Sequence, residues 1–293
     1  MCAIIGYLGP GIDRKKLCLM RDLMTHRGPD DFGDWVDYDA NVWLGHRRLS
    51  IIDTSLAGHQ PFVSLDGKYV LVFNGEIYNH NSIRKDLIKF GYRFKGHSDT
   101  EVLLYAIDKW SLEEAVKRFI GMFAFSLWDT KNKKLWIVRD RMGVKPLYYS
   151  LRNNNFVFAS ELKALSFLPW VKDTLDMDAL SYYFKNLYIP ASHSIYKSIH
   201  KLPPGSILCW DGNDIKIKSY WNLENIISDN VTNRKHNRSR NYNDEFKELV
   251  SSSIKMRMVS DVPLGVFLSG GIDSSLVAAY MQEESISKVK SFS

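Results

Sequence analysis

The chain has 293 residues, a length that allows one large domain or two ordinary ones. Hydrophobic residues make up 45% and charged residues 25%, which is a globular composition and excludes a disordered chain. No apolar run approaches the roughly 18 residues that cross a bilayer, and the N-terminus lacks the basic and apolar segments of a signal peptide. We therefore expect a cytoplasmic protein with no membrane partner.

Charge and cysteine content exclude further classes. Three cysteines are too few and too scattered for a disulfide framework or a Cys-x-x-Cys metal site, which indicates a reducing compartment. The net charge of +6 is modest, and part of it comes from residues 233–240. Because this stretch has no interleaved aromatic residues, we favour a solvated loop over a nucleic-acid-binding patch. The sequence thus predicts no nucleic-acid partner.

In chain order, the first 165 residues mix strand and helix patterns. Strands are predicted at residues 3–8, 69–73, 122–128, 134–138, 148–149 and 156–159. Helices are predicted at residues 15–24, 82–90, 98–110, from 111 onward, and at 176–188. Strands paired as hairpins, with helices grouped between them, indicate antiparallel sheets covered by helices.

Local signals mark the ends of several of these elements. Ser98 with Glu101, and Ser111 with Glu114, form two Ser-x-x-Glu capping boxes that open helices. Gly91 is suited to end the helix before it. The Asn-Gly pair after the strand at 69–73 is a strong hairpin-turn signal.

The composition changes near residue 225. Residues 225–244 are Asn-rich, charged and poor in large apolar residues, so we interpret them as a linker between domains at 1–224 and 245–293. The second domain is predicted to contain a helix from about Asp244 to Met258, a strand at 262–268, a glycine turn and a helix at 276–282. A strand, glycine turn and helix in that order are typical of an α/β fold.

A cysteine directly after the initiator methionine is a candidate nucleophile. Removal of Met1 would leave Cys2 with a free α-amino group, whose reference pKa of about 7.7–8.0 suits it to take the thiol proton. Nucleophile and base would then belong to one residue. Taken alone, the position is more simply explained by chance, because many proteins carry a small residue there.

The surrounding stretches occur in the order typical of one enzyme family. They are Cys-Ala-Ile-Ile-Gly at 2–6, Arg-Gly-Pro-Asp at 27–30, Gly-His-Arg-Arg-Leu-Ser-Ile at 45–51, Phe-Asn-Gly-Glu-Ile-Tyr-Asn at 73–79, Ser-Asp-Thr-Glu at 98–101, Asp-Arg-Met-Gly-Val-Lys-Pro-Leu-Tyr-Tyr at 140–149 and Phe-Ala-Ser-Glu at 158–161. Together they resemble the class II glutaminase domain of glutamine-hydrolysing asparagine synthetases. The resemblance implies an α+β fold, the αββα sandwich of N-terminal-nucleophile hydrolases.

The same resemblance implies roles for individual residues. Cys2, Asn74 and Gly75 would be catalytic, with the Asn74 amide and the Gly75 N–H forming an oxyanion hole, a role that remains compatible with a tight turn. Arg48 would hold the α-carboxylate of glutamine and Asp99 its α-ammonium group. The implied glutamine-binding residues are Arg48, Leu49, Ser50, Ile51, Ile52, Asn74, Gly75, Glu76 and Asp99.

Each of these assignments has a simpler alternative. Asp99 lies in the first turn of a predicted helix, where the helix dipole favours an acidic residue. Arg48 follows Arg47 and could be a surface charge. Arg27 we interpret as structural or as part of a lid, and we leave it outside the catalytic set.

The stretch Ser-Gly-Gly-Ile-Asp-Ser-Ser at 269–275 resembles the pyrophosphatase loop of ATP-dependent adenylating synthetases. It lacks the lysine of a P-loop, but its glycines allow backbone N–H groups to face a phosphate. The implied ATP-binding residues are Leu268, Ser269, Gly270, Gly271, Asp273 and Ser274. Asp273 would approach a phosphate through Mg²⁺, and no other metal ligand is predicted. The alternative is a glycine turn followed by a helix cap.

The resemblance therefore implies a glutamine amidotransferase that passes ammonia to an ATP-activated carboxylate, with aspartate as the acceptor. A sugar-acid acceptor and a non-catalytic subunit are the alternatives. Family members continue beyond residue 293, so we expect a truncated protein, an interrupted gene or a chain complemented by another. We expect an incomplete α/β domain that is poorly ordered or prone to associate, glutaminase activity only, and either a homodimer or a complementing C-terminal chain as partner.

Overall fold

The computed structural model describes residues 1–11, 13–171, 174–212, 214–232 and 241–293. They form two compact units, one of residues 1–50 and 55–222 and the other of residues 51–54 and 223–293. The basic stretch at 233–240 lies outside the described residues, so the solvated loop remains a prediction there.

The first unit contains most of the secondary structure. Its strands are β1 (Ala3–Leu8), β2 (Asp31–Asp37), β3 (Val42–Arg48), β4 (Phe62–Val63), β5 (Tyr69–Ile77), β6 (Gly121–Asp129), β7 (Lys134–Arg139), β8 (Tyr148–Arg152), β9 (Asn155–Ala159), β10 (His200–Lys201), β11 (Ser206–Trp210) and β12 (Ile215–Ser219). Its helices are α1 (Arg14–Asp22), α2 (His80–Lys89), α3 (Asp99–Trp110), α4 (Leu112–Arg118), α5 (Leu162–Leu165) and α6 (Met177–Asn186). The strands predicted from sequence are confirmed, while β2–β4 and β10–β12 were not predicted.

These strands form two antiparallel six-stranded sheets, in the orders β10-β8-β9-β1-β3-β2 and β12-β11-β7-β6-β5-β4. The inner faces pack on each other, since Ile4 and Val42 share a buried cluster with Val72 and Trp128. Helices α2–α4 pack on the outer face of the second sheet, and α1 and α5 pack on that of the first. The layers are helix, sheet, sheet, helix, which confirms the predicted αββα sandwich.

The alternation of side chains along a strand decides what each inner residue faces. In β1, Ile4 and Leu8 point toward the second sheet, whereas Ile5 and Tyr7 point toward the helices. All six residues of β1 are buried because both of its faces are covered. Gly6 lies against the ring of Phe158, which an added Cβ would meet at 2.2 Å.

The predicted hairpin turn at Asn74-Gly75 is wrong. Strand β5 continues to Ile77, with Asn74 opposite Ala124 and Gly75 opposite Phe123 in β6. Pairing along the whole strand overrides the local turn preference of the dipeptide. The glycine is required for a different reason, because a Cβ at Gly75 would lie 2.3 Å from the carbonyl oxygen of Met122.

The predicted capping boxes have different outcomes. Ser98 caps α3, accepting a hydrogen bond from the Thr100 N–H at 3.0 Å, but the Glu101 carboxylate accepts from the N–H groups of Lys95 and Gly96. Ser111 has a φ of +70° and makes no side-chain cap bond to α4, so the second box is wrong. A serine that caps a helix normally has an extended backbone, which the positive φ of Ser111 does not provide.

The second unit contains α7 (Leu223–Thr232), α8 (Tyr242–Arg257), β13 (Gly265–Phe267), α9 (Ile272–Glu283) and β14 (Lys290–Phe292). β13 and β14 pair in parallel on either side of α9 in the chain, a β-α-β arrangement. Sequence reasoning missed β14, which is only three residues long. Part of the expected linker at 225–244 is helical in α7 and α8, and the domain division stays a prediction. None of the described helices has both the length and the apolarity that crossing a bilayer requires.

Candidate active site

Cys2 lies at the entrance to the sandwich, directly before β1. Its side chain continues the alternation of Ile4 and Leu8, so it belongs to the inner face of the first sheet. The Leu49 N–H donates to the Cys2 sulfur at 3.4 Å, and the thiol lies 3.6 Å from the Leu49 carbonyl oxygen. The thiol is thus held against the end of the neighbouring strand β3.

The surroundings of Cys2 keep its thiol protonated. Burial raises the pKa of the Cys2 thiol above its ordinary value, while the Leu49 N–H and the charge of Arg48 act in the opposite direction. The α-amino group of this chain belongs to Met1, and burial lowers the pKa of that amine. A partly buried thiol with a raised pKa needs a base before it can attack a carbonyl carbon.

Arg27 contacts the backbone of the candidate nucleophile. Its Nε donates to the Cys2 carbonyl oxygen at 3.0 Å, and its Nη1 lies 3.3 Å from Oε1 of Glu161. Burial acts to raise the pKa of Glu161, but hydrogen bonds from His26, Lys163 and Arg27 outweigh it and lower that pKa. Arg27 therefore holds Cys2 in place, a role that the sequence left as structural or lid-like.

Asn74 is a buried polar residue whose side chain has no partner. It lies on the inner face of β5 with Val70 and Val72, the face that packs against β1 and β3. Within the part of the chain that the structure describes, neither Nδ2 nor Oδ1 of Asn74 has a hydrogen-bond partner. An unsatisfied buried amide lowers the stability of the fold by roughly 1–3 kcal/mol. Such a group is expected where a bound ligand supplies the missing hydrogen-bond partner.

The backbone of β5 places the Gly75 N–H at an open edge. The backbone N–H and carbonyl groups of the odd-numbered residues of this strand point away from β6. The Tyr69 carbonyl accepts from the Ser64 N–H, and the Phe73 N–H donates to Gln60 Oε1. The Ile77 N–H points the same way and donates to Asp99 Oδ2 at 2.9 Å. Gly75 lies between Phe73 and Ile77, so its N–H is directed at the same edge, next to the Asn74 amide.

Asp99 and Arg48 bring opposite charges to this region. Asp99 is buried at the first position of α3, and burial, with a smaller contribution from the charge of Glu76, raises the pKa of its carboxyl to about 7. Arg48 ends β3, is buried, and donates from Nη1 to the Ser55 carbonyl oxygen at 3.0 Å. Both charges act on the Cys2 thiol. A cation and an anion near one nucleophile match the two ends of a free amino acid.

Lys145 is a buried charge that sequence reasoning did not assign. Burial lowers the pKa of its ammonium group, and the charges of Glu76 and Cys2 act to raise it. It lies two residues after Gly143, and its N–H donates to Asp140 Oδ2 at 3.0 Å. The motif at 140–149 contains Lys145, but nothing local distinguishes a buried lysine from an exposed one.

The remaining predicted glutamine-binding residues lie in two places. Leu49 contacts the Cys2 sulfur, and the Ser50 N–H donates to Asp30 Oδ2 at 2.8 Å. Ile51 and Ile52 belong to the second unit, so their role in glutamine binding stays a prediction.

The glycine loop of the second unit connects β13 to α9. Helix α9 begins at Ile272, so Asp273 and Ser274 lie in its first turn, four residues earlier than the predicted helix at 276–282. Gly270 has a φ of +78°, and the hydroxyls of Ser269 and Ser274 are 3.1 Å apart. The loop thus presents hydroxyls and a helix N-terminus on one exposed turn.

The αββα sandwich, with Cys2 directly before β1 and the Asn74 amide on the facing sheet, has the architecture of the N-terminal-nucleophile class. Within that class the chain belongs to the glutamine amidotransferase family, whose glutamine amidotransferase domain matches residues 1–221. Residues 245–293 match the asparagine synthase family. Both matches agree with the resemblance seen in the sequence.

Named relatives support this assignment. The chain is 35% identical to Asparagine synthetase [glutamine-hydrolyzing] 3 of Bacillus subtilis, over 95% of this chain and 45% of that protein. It is 37% identical to Asparagine synthetase [glutamine-hydrolyzing] 1 of the same organism, over 97% of this chain and 44% of that protein. The chain therefore spans less than half the length of these relatives.

A solved structure has the same fold. Glutamine phosphoribosylpyrophosphate amidotransferase from B. subtilis superposes with a TM-score of 0.57 at 19% identity, over 75% of this chain and 49% of that one. At this identity the likeness supports the fold of the first unit and carries no information on the acceptor.

Proposed function

We propose that this chain hydrolyses glutamine to glutamate and ammonia at Cys2, after removal of Met1. The observation that carries the proposal is the Asn74 amide, fully buried and without a partner among the described residues, on the inner face opposite the Cys2 sheet. A buried asparagine with a purely structural role would have a hydrogen-bond partner within the protein. A donor of an oxyanion hole instead forms its hydrogen bond with the substrate.

The chemistry follows from the groups at the site. The α-amine of Cys2, exposed once Met1 is gone, takes the thiol proton as the sulfur attacks the glutamine amide carbon. The carbonyl oxygen becomes an oxyanion, which accepts hydrogen bonds from Asn74 Nδ2 and the Gly75 N–H. The amine returns its proton to the leaving nitrogen, the carbon–nitrogen bond breaks, and ammonia departs, leaving a thioester on Cys2. Water then cleaves the carbon–sulfur bond, releasing glutamate and restoring the thiol.

Substrate is held by the two charges flanking the nucleophile. Arg48 binds the α-carboxylate, and ionised Asp99 binds the α-ammonium group, with Glu76 beside it. Because Asp99 has a pKa of about 7, it is half protonated near neutrality in the free protein. An ammonium group brought next to it favours the ionised form, so substrate binding and ionisation of Asp99 reinforce each other.

We propose further that the ammonia goes to a carboxylate adenylated with ATP, with aspartate as the acceptor. The names of the relatives and the asparagine synthase match at 245–293 support this, and so do the hydroxyls and helix start of the 269–275 loop. Leu268, Ser269, Gly270, Gly271, Asp273 and Ser274 would contact ATP. Asp273 is the only carboxylate in that sequence, so it would hold Mg²⁺ together with phosphate oxygens.

The experiment measures glutamate release from glutamine by the wild-type chain and by Cys2→Ala, alongside the intact mass of both proteins. We expect wild-type protein lacking Met1, and a loss of at least about 10³-fold in kcat for Cys2→Ala. Retained Met1 with full activity, or unchanged turnover in Cys2→Ala, would contradict the nucleophile assignment. Supplying amide-labelled glutamine with ATP, Mg²⁺ and aspartate, in the longest form of the protein, tests the acceptor. Label that appears in free ammonia but never in asparagine would support the glutaminase activity and reject aspartate as the acceptor.

A further inference from the structure

The peptide groups of Phe73, directly before the oxyanion pair, are held by two side chains from outside the sheet. Strand β4 begins at Phe62, opposite Leu71, so continuing that pairing would set Gln60 opposite Phe73. Gln60 Oε1 accepts a hydrogen bond from the Phe73 N–H at 2.7 Å. His46 Nε2 lies 3.0 Å from the Phe73 carbonyl oxygen. Side chains thus replace a strand neighbour at this point of the β5 edge.

The chemistry of these contacts fixes the state of His46. A carbonyl oxygen only accepts, so Nε2 of His46 carries the proton and donates it, while Nδ1 has none. His46 is 0% exposed, and burial lowers the pKa of its imidazole to about 3. The ring is therefore a neutral donor at working pH and is not available as a proton carrier.

Gln60 also connects Phe73 to the glutamine-binding side of the site. Its Nε2 donates to Thr100 Oγ1 at 3.3 Å, in the first turn of α3 next to Asp99. Asp99 in turn accepts from the Ile77 N–H at the other end of the open edge. The peptides on both sides of Asn74 and Gly75 are therefore held by buried side chains.

We propose that His46 and Gln60 are positioning residues that clamp the Phe73 peptide groups and so aim the Asn74 amide and the Gly75 N–H at the developing oxyanion. This inference rests on the proposed glutamine hydrolysis at Cys2. Oxyanion donors act only within a narrow distance, and a displacement of about 1 Å can cost about 10²-fold in rate. Without the clamp, β5 still pairs with β6 at this point, but the edge N–H and carbonyl of Phe73 lose the partners described above.

The test uses three variants, two at His46 and one at Gln60. His46→Asn is too short to reach the Phe73 carbonyl, His46→Gln keeps an N–H donor near the position of Nε2, and Gln60→Met has similar length but no acceptor. Ser126→Ala is the control, because Ser126 is equally buried on the neighbouring strand β6. Each protein is assayed for glutaminase kcat and KM, for binding of glutamate, and for binding of the γ-aldehyde of glutamate.

Binding of the γ-aldehyde distinguishes a misplaced oxyanion hole from a general loss of structure at the site. The Cys2 sulfur bonds to the aldehyde carbon while the thiol proton moves to the carbonyl oxygen, which gives a thiohemiacetal whose oxygen lies in the oxyanion hole. Glutamate binds without this carbon–sulfur bond. We expect His46→Asn and Gln60→Met to lower kcat and aldehyde affinity together by about 10- to 100-fold, with KM and glutamate affinity nearly unchanged. His46→Gln should recover most of the loss.

Several results would overturn the proposal. One is an unchanged aldehyde affinity in His46→Asn and Gln60→Met. The others are a loss of aldehyde affinity in His46→Gln or in Ser126→Ala that is as large as the loss in His46→Asn. If His46→Asn does not fold, Gln60→Met tests the clamp through the Phe73 N–H instead of the Phe73 carbonyl. A wild-type protein that neither releases glutamate nor binds the aldehyde would instead reject the proposed function itself.

Discussion

The two motif-bearing regions of this chain differ in what holds their residues. At the Cys2 site, the contacts join residues far apart in sequence, as when the Ile77 N–H donates to Asp99 or Arg27 donates to the Cys2 carbonyl. In the glycine loop, the contacts are local, with Ser274 bonded to Ser269 and to the Gly271 carbonyl. A motif can therefore be equally recognisable in two places and be constrained very differently by its fold.

Burial follows the same division. Phe158 in the first unit is fully buried, whereas Phe267 beside the glycine loop is 86% exposed. All eight tryptophans of the chain lie in the first unit, so tryptophan fluorescence reports unfolding of that unit alone. The two regions can thus be compared with matched substitutions whose effects are read separately.

The largest difference is expected between two glycines. An added Cβ at Gly75 would lie 2.3 Å from the Met122 carbonyl oxygen, whereas at Gly271 its nearest neighbour would be Ser269 Oγ at 3.6 Å. We expect Gly75→Ala to lower glutaminase kcat by about 10²–10³-fold, because it displaces the N–H that we propose as an oxyanion donor. The crowding should also destabilise the first unit by about 1–3 kcal/mol, measured by tryptophan fluorescence in urea.

Gly271→Ala is the matched substitution, with an expected change within about 0.5 kcal/mol in circular dichroism unfolding. Its φ lies outside the left-handed region, so alanine is not strained there. Equal destabilisation by the two alanines would show that the comparison between the regions is wrong.

Much of the fold was predictable because its signals are local. The alternating and buried runs of β1, β6 and β7 specify strands, and Ser98 with Gly91 marks helix boundaries. The pairing of the sheets was not predictable, because β1 lies between β3 and β9, partners separated from it by long stretches of chain. Short strands such as β4 and β14 carry too few residues to show a period.

The site shows the same limit. Cys2, Asn74 and Asp99 could be selected from the family motifs, but the prediction of a turn at Asn74 was wrong because a two-residue signal says nothing about continued pairing with β6. His46 was invisible as a site residue, since only the packed sandwich brings its ring to the Phe73 carbonyl. Burial and cross-sheet contacts are tertiary properties that no local pattern encodes.

A smaller effect is expected from the two acidic residues. The pKa of Asp99 is raised from 3.8 to about 7, so the native protein binds this proton more tightly than the unfolded chain does. Stability therefore falls as pH rises through that interval, and the full cost is present above pH 7. Asp99→Asn removes this cost and should stabilise the first unit at pH 8 by roughly 2 kcal/mol. This is less than the free energy that the whole pKa shift represents at about 1.4 kcal/mol per pKa unit.

The same substitution should weaken function. Without a carboxylate for the α-ammonium group, KM for glutamine should rise at least about tenfold, and wild-type KM should rise as pH falls below 7 while that of Asp99→Asn should not. Asp273→Asn is the matched change in the exposed loop, where stability should move by less than about 0.5 kcal/mol. A destabilised Asp99→Asn at pH 8 would mean that the hydrogen bond to Ile77 outweighs the cost of the buried charge.

The smallest difference is expected between two serine hydroxyls at helix starts. Ser98 Oγ accepts from the Thr100 N–H at 3.0 Å and so satisfies one of the free donors of α3. Ser274 Oγ instead donates to the Gly271 carbonyl oxygen, at the start of α9. Ser98→Ala should therefore cost about 1 kcal/mol in urea unfolding followed by tryptophan fluorescence. Ser274→Ala should change the free energy of unfolding of α9 by less than about 0.5 kcal/mol.

Because Asp99 is the first residue of α3, loss of the Ser98 cap should also raise KM for glutamine, by less than Asp99→Asn does. An unchanged KM with the full loss of stability would show that Asp99 is positioned by Ile77 and not by the helix start.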